Sequence, residues 1–422
     1  MSTTVEHMAR PLLSVEEARA QMLDGLESLA AEDVALLDAL GRIAAAELTS
    51  LTTLPPWDNS AMDGFAVVAA DIADATESQP VVLPVTGEVA AGAGPSATVV
   101  PGSAVRILTG APIPSGADAV VPVEDTDAQP GVAELPKHVA IRTAFEAGAH
   151  IRRAGSDLRA GQRLLEPGSQ LTPAAIAVAA AGGHATIAVH GVPRVAVLAT
   201  GDELVAAGVP LGAAQIPDSN TPGLMAAARD AGAEVRSLGI ARDSLDSVRD
   251  ALFKGLEWAD VIVASGGVSV GAHDVVKDAF ASVGRIDLWR IAVQPGKPLA
   301  FGRAGKTLLF GLPGNPVSSL VTFELFVRPV IRRLAGYVDD GPAFGREIIR
   351  AKLMDAVRKA PGRRGFIRVR LVAAQDTWRA SLAGGQESHM LAALAAADGL
   401  AIIPESMDSA APGTEVDVIR LR

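Results

Sequence analysis

The chain contains no cysteine, so it can form no disulfide, offer no thiolate nucleophile and build no cysteine-ligated zinc site. Any metal ligands it supplies must be mainly oxygen or nitrogen. Histidine is scarce too: His150, His184, His190 and His273 form no HExxH or similarly spaced pair and read as surface or structural residues. The longest apolar run, about 174–189, is broken by Gly182, Gly183 and His184. It falls short of the roughly 20 residues a bilayer requires, so a packing helix is expected there, as near Leu391, and no membrane contact. No basic segment followed by an apolar run opens the chain, which makes the cytoplasm the expected compartment. A basic excess is also missing. With a formal net charge of −11, broad nucleic-acid binding is excluded, although a local basic pocket is not.

What is present is a globular composition, 49% hydrophobic and 20% charged, over 422 residues, which is too long for one ordinary core and predicts two to four domains. Between 14 and 51 the spacing of Val15, Ala18, Met22, Leu26, Val34, Leu37 and Leu40 suggests hairpin-like helical packing. Residues 54–149 are rich in Val, Gly and Pro with short strand-like segments, and read as a β-rich insertion. It interrupts an elongated helical domain formed by 1–53 and 150–190. Residues 191–337 alternate strands (194–199, 234–241, 260–264, 286–293, 307–310) with helices (221–231, 244–256, 274–281, 316–334). That order predicts a doubly wound, mostly parallel α/β domain. Residues 338–422 read as a C-terminal β-barrel or sandwich. The fold class is therefore multidomain α/β plus β.

Polar and glycine-rich segments follow the α/β strands at their carboxyl ends, where open α/β sheets bind ligands. They are Thr200-Gly201-Asp202-Glu203, Arg242-Asp243, Ser265 to Gly271 with Asp274, Gln294 to Pro298, and Gly311 to Pro316. In the third, Ser265, Gly266, Gly267, Ser269 and Gly271 allow backbone N–H groups to approach an anion, although glycines also serve ordinary turns. The segment is neither GxGxxG nor a Walker loop. Its literal GxSxG invites a hydrolase elbow, but the only downstream histidines, His273 and His389, are poorly placed for a triad. Glu203, Asp243 and Asp274 offer hard oxygen ligands for Mg²⁺ beside a phosphate; the two aspartates could equally cap helices. Lys297 is a candidate anion contact or a solvated side chain. Pro313, Gly314 and Asn315 lead into a helix that starts at Pro316 and places Ser318 in its first turn, as an anion site or simply a rigid connection. Asp58, Asn59, Ser60 and Asp63 form a second dense polar segment, also readable as turns.

The combination DNSAMDGFA, TGAPIPSGADAVV, GSDLRAGQRLL, TGDEL, DSN, SGGVSVGAHD, QPGKPLAFG and GLPGNPVSS resembles the MoeA/gephyrin family of molybdopterin molybdenumtransferases, from about Leu54 to Leu334 and, less specifically, into the tail. The resemblance implies a homodimer of four-domain subunits that converts adenylylated molybdopterin and molybdate, with a divalent cation, into molybdenum cofactor and AMP. It also implies exchange with a molybdopterin adenylyltransferase and with recipient molybdoenzymes. By matching position, Glu203, Asp243 and Asp274 resemble the nucleotide and metal side, and Lys297, Ser318, Arg368 and Ser388 the molybdate-facing set. Asp58, Asp63, Thr109 and Asp157 match functional motifs of the insertion and its junction, with an implied reach into the pocket across the dimer. Two departures stand out: Gln294 and Arg290 occupy positions where many relatives carry lysine. An adenylyltransferase and a gephyrin-like scaffold are the competing functions.

Overall fold

The computed structural model describes residues 12–92, 97–131, 134–267, 275–338, 346–375 and 377–422, without the side chains of 288 and 289. They form two compact units, one comprising residues 33–188 and the other the remainder.

In the 33–188 unit, a five-stranded sheet runs in the order Ala119–Pro122, Gly64–Val67, Ala104–Ile107, Val81–Val89, His138–Ile141. Phe65, Val67, Ile72, Val121 and Ile141 are buried around it. This β character is what the Val-rich segments predict. One α-helix, α2 (Pro173–Ala181), begins after Thr172, whose hydroxyl caps the Ala175 N–H. The helical spacing expected at Val34, Leu37 and Leu40 is not realised. Residues 36–41 are turns, and Leu37 and Leu40 are 82% and 54% exposed, so this periodicity has no core to face.

The larger unit opens with α1 (Val15–Leu23), fixed by a reciprocal capping box between Ser14 and Glu17. Its central sheet holds β1 (Arg194–Thr200), β2 (Glu234–Ala241), β3 (Val261–Ser265), β4 (Arg285–Arg290), β5 (Pro298–Ala304) and β6 (Thr307–Leu312), in the order β2-β1-β3-β6-β5-β4. The pairs β2-β1, β1-β3 and β3-β6 are parallel; β5 runs antiparallel to both β6 and β4. β3 and β6 are buried along their whole length, as strands covered on both faces must be. Val195, Val197, Val261 and Val263 face the core shared with α1, α3 (Asn220–Asp230), α6 (Pro316–Thr322) and α7 (Arg328–Leu334). Ala196, Leu198, Ile262 and Ala264 face α4 (Leu245–Leu256) and α5 (Val275–Val283). Helices therefore cover both faces, and the doubly wound, mostly parallel arrangement is the expected one.

The tail is a closed barrel of β7 (Ile348–Leu353), β8 (Arg364–Ala374), β9 (Thr377–Leu382), β10 (Gly399–Ile403) and β11 (Glu415–Arg420). It runs β8-β9-β7-β11-β10 and returns to β8. Ile367, Val369, Ala401 and Val418 fill it. A short strand, Val293–Gln294, pairs with Arg364–Gly365 and ties the barrel to the α/β sheet.

Candidate functional site

Four strand ends of the parallel sheet meet. After β1, the Asp202 N–H faces Asp243 Oδ2, and the Asp243 N–H returns to Asp202 Oδ1, both at 3.4 Å, so the β1 and β2 turns lie together. Glu203 is exposed, with its carboxylate folded over Gly201. After β3, Gly266 and Gly267 take φ of +95° and +65°. A Cβ on Gly266 would stand 2.6 Å from the Thr200 carbonyl oxygen, so the turn admits only glycine there. The Gly266 N–H donates to Leu312 O at the end of β6.

The β6 turn, Pro313-Gly314-Asn315, is bound to its surroundings through side chains. Asn220, the first residue of α3, donates from Nδ2 to Ser265 Oγ and to Gly314 O, each at 2.7 Å. Asn315 donates from its own Nδ2 to Ser388 Oγ at 2.9 Å. The Val317 N–H, at the start of the helix that Pro316 opens, is taken by Ser388 O at 3.2 Å. Ser318 is buried in α6, and Thr322 Oγ1 donates to its carbonyl.

The cationic end comes from the 294–298 turn and the barrel. Gly296 packs against Thr322 of α6. Burial and the neighbouring charges of Arg290 and Arg363 pull the Lys297 ammonium pKa down. Gln294 turns its side-chain oxygen to the Ala360 N–H at 2.9 Å. Arg368 is fully buried on β8. Its Nη2 donates to Gly385 O at 2.7 Å and Glu387 O at 3.3 Å, while Nε and Nη1 have no partner among the described residues. Burial lowers its pKa, opposed by the Glu387 carboxylate. Two unspent donors on a fully buried guanidinium suit an oxyanion ligand.

Glu203, Asp243, Ser265, Gly266, Gly267, Pro313, Gly314, Asn315, Ser388 and Arg368 are thus joined along one line of contacts, which Ser318 meets in α6; Lys297 follows Gly296, which packs against that helix. Ser269, Gly271 and Asp274 lie outside the described residues, so the three-carboxylate metal set and the GxSxG reading are not assembled here. Among the described residues no group of three His, Asp or Glu side chains could hold a metal.

The remaining expected residues belong to the 33–188 unit. Asp63 Oδ1 accepts both the N–H and the hydroxyl of Thr109 at 2.7 Å, which lowers the Asp63 pKa. It lines a cavity of about 620 Å³ together with Phe65, Arg106, Leu108 and Glu124. Asp58 spends both oxygens, on the Ala154 N–H and on Arg153 at 2.8 and 2.6 Å, and its pKa falls for the same reasons. Asp157 is exposed, and its N–H donates to Leu54 O. Sequence reasoning missed Asn220, Asp202 and Arg363. The first two lie inside DSN and TGDEL, and Arg363 lies in the tail segment.

Fold and site together define a multidomain protein whose doubly wound sheet ends in glycine-bearing turns, with acidic residues after β1 and β2 and a buried guanidinium on the adjoining barrel. Comparison with known proteins narrows this class. Residues 13–183 match the MoeA N-terminal region (domain I and II), 196–333 a probable molybdopterin binding domain, and 350–421 the MoeA C-terminal region (domain IV). The chain is 40% identical over 411 residues to molybdopterin molybdenumtransferase 2 of Mycobacterium tuberculosis, covering 96% of this chain and 98% of that one. It is 35% identical over 414 residues to the molybdopterin molybdenumtransferase of Haemophilus influenzae, with the same coverage. The solved molybdopterin biosynthesis moea protein from Pyrococcus horikosii superposes with a TM-score of 0.82 at 32% identity, covering 98% of this chain and all of that one. The chain belongs to the MoeA family.

Proposed function

We propose that this chain is an enzyme that inserts molybdenum from molybdate into adenylylated molybdopterin, with release of AMP. The observation that carries the reading is Arg368, fully buried with two unspent guanidinium donors, on the same line of contacts as the glycine turns of the sheet. A tetrahedral oxyanion is matched by Arg368 and Lys297, with Ser318 and Ser388 as hydroxyl donors. The glycine turns at Gly266-Gly267 and Gly314, which lack side chains, would let the phosphate-bearing substrate approach the backbone closely. Glu203 and Asp243, with Asp274, are proposed to hold a divalent cation, Mg²⁺, which would offset phosphate charge when bound. The substrate's dithiolene sulfurs are soft ligands for molybdenum, which leaves the protein to position the two reactants. Asp58, Asp63, Thr109 and Asp157 are included as residues whose loss lowers turnover. The proposal extends to a homodimer, checked by sedimentation, that works in the cytoplasm between an adenylyltransferase supplying its substrate and molybdoenzymes taking its product.

The test is AMP release from adenylylated molybdopterin with Mg²⁺, with and without molybdate. Molybdate-dependent AMP and active cofactor are expected. Asp274→Asn should slow turnover about 100-fold, a typical loss for a site residue, without changing the melting temperature. Formation of the adenylate from ATP and free molybdopterin would replace this reading with an adenylyltransferase; no turnover alongside tight binding of a protein partner would replace it with a scaffold.

A further inference from the structure

The turns after β3 and β6 are built from glycine where they approach each other, so neither has a side chain of its own with which to hold the other. Where the β3–β6 ladder ends at Ser265 opposite Leu312, the Gly266 N–H reaches Leu312 O over a long 3.3 Å. Asn220 enters from α3 and spends both amide N–H groups, one on each turn, at 2.7 Å. Ser265 Oγ in turn lies 3.5 Å from Ser319 Oγ, which brings α6 into the same cluster. A single amide thus touches the ends of two neighbouring strands.

A carboxylate of the same shape could not do this. Gly314 O can accept but not donate, so a carboxylate of the same shape would meet it with repulsion. Among the described residues, Asn220 Oδ1 is buried without a partner, as are the hydroxyls of Thr221, the next residue, and of Thr200, which lies against Gly266. Thr200 and Thr221 are 4% and 8% exposed. Buried polar atoms are nearly always satisfied, so these three beside the two turns call for partners that a bound ligand or ordered water would supply.

We infer that Asn220 is a positioning residue of the substrate site: it bolts the Ser265-Gly266-Gly267 and Gly314-Asn315 turns at one spacing, and affinity for the adenylylated substrate depends on that bolt. The inference rests on the function proposed above, and two measurements separate their fates. In steady state at saturating molybdate, Asn220→Asp should raise KM for adenylylated molybdopterin about tenfold and leave kcat within about twofold, the signature of lost uniform binding. Ser265→Ala, which leaves the Gly314 bond, should raise KM about threefold, and the double variant should be no worse than Asn220→Asp, because coupled residues are not additive. An unchanged KM in Asn220→Asp, or effects that simply multiply, would overturn the inference.

The second measurement needs no turnover and uses a milder variant in case the aspartate fails to fold. In Asn220→Ser, amide hydrogen exchange at 266–267 and 314–315 should quicken while the amides of β3 and β6 keep their protection. Unchanged exchange at both turns overturns the role of Asn220. Turnover absent from the wild type sinks the proposed function, and the exchange result still judges the bolt.

Discussion

Lys297 sits among cations, and its ammonium is held below the usual lysine range by burial and by Arg290 and Arg363. A lysine whose pKa falls in the folded protein loses its charge earlier as pH rises. Anion affinity that depends on it is therefore full near neutrality and declines before the value of about 10.4 found for a free lysine. KM for molybdate should accordingly climb along an alkaline limb. Arg290→Gln removes one repelling neighbour and should move that limb to higher pH, and Lys297→Met should erase it. A limb that stays in place in Arg290→Gln would mean that another group titrates. The cation itself was legible in the sequence because it follows a strand-like segment on a Pro-Gly turn. Asn220 was not, since its value depends on Ser265 and Gly314, 45 and 94 positions away, and no local pattern encodes that meeting.

At the scale of elements, the helix expected at 316–334 is present but interrupted: α6 passes through a π-helical turn, Phe323–Val327, into α7. Within that stretch Glu324 and Arg328 join Asp230, at the end of α3, and Arg346, before β7. Asp230 Oδ2 accepts from Arg328 and Arg346 at 2.7 Å, and Arg346 Nε donates to Glu324 at 2.6 Å. Burial would raise the Asp230 pKa, but the two guanidiniums outweigh it and the net shift is downward. A depressed carboxyl stabilises the fold above its unfolded pKa of about 3.9 and loses that contribution as pH falls through the lower folded value. Asp230→Asn should cost about 1 kcal/mol at neutral pH, a small figure because the side chain is 55% exposed and screened. Its urea midpoint should also fall less steeply than the wild type's between about pH 5 and 3. Parallel slopes would show the pair network to be inert. Apolar runs made the buried parallel strands readable, whereas β5 was not anticipated, because Pro298 and Gly302 weaken a strand signal that antiparallel pairing restores. The reverse error, a helix expected at 34–40, arose where periodicity was present and burial was not.

Across the larger unit, the barrel meets the α/β sheet at separated places. Val293–Gln294 pairs with Arg364–Gly365, Asn315 holds Ser388, and Arg346 grips Asp230, Glu324 and the Leu421 carbonyl. The first two lie at the proposed molybdate end; the third touches no proposed site residue. A β-rich tail could be read from the sequence, but not this docking, which joins residues far apart in the chain. If the barrel sits as a rigid body, loosening Arg346 must disturb how Arg368 and Ser388 are presented, because β8 carries one and its neighbouring loop the other. Arg346→Ala should therefore raise KM for molybdate about three- to tenfold while changing KM for adenylylated molybdopterin less, in keeping with a lost ion network of moderate energy. Arg346→Lys should recover only part of this, since an ammonium cannot serve two carboxylates with the fixed fork of a guanidinium. A variant that loses stability yet keeps its molybdate KM would show that Asn315 and the paired strands hold the cationic end in place unaided.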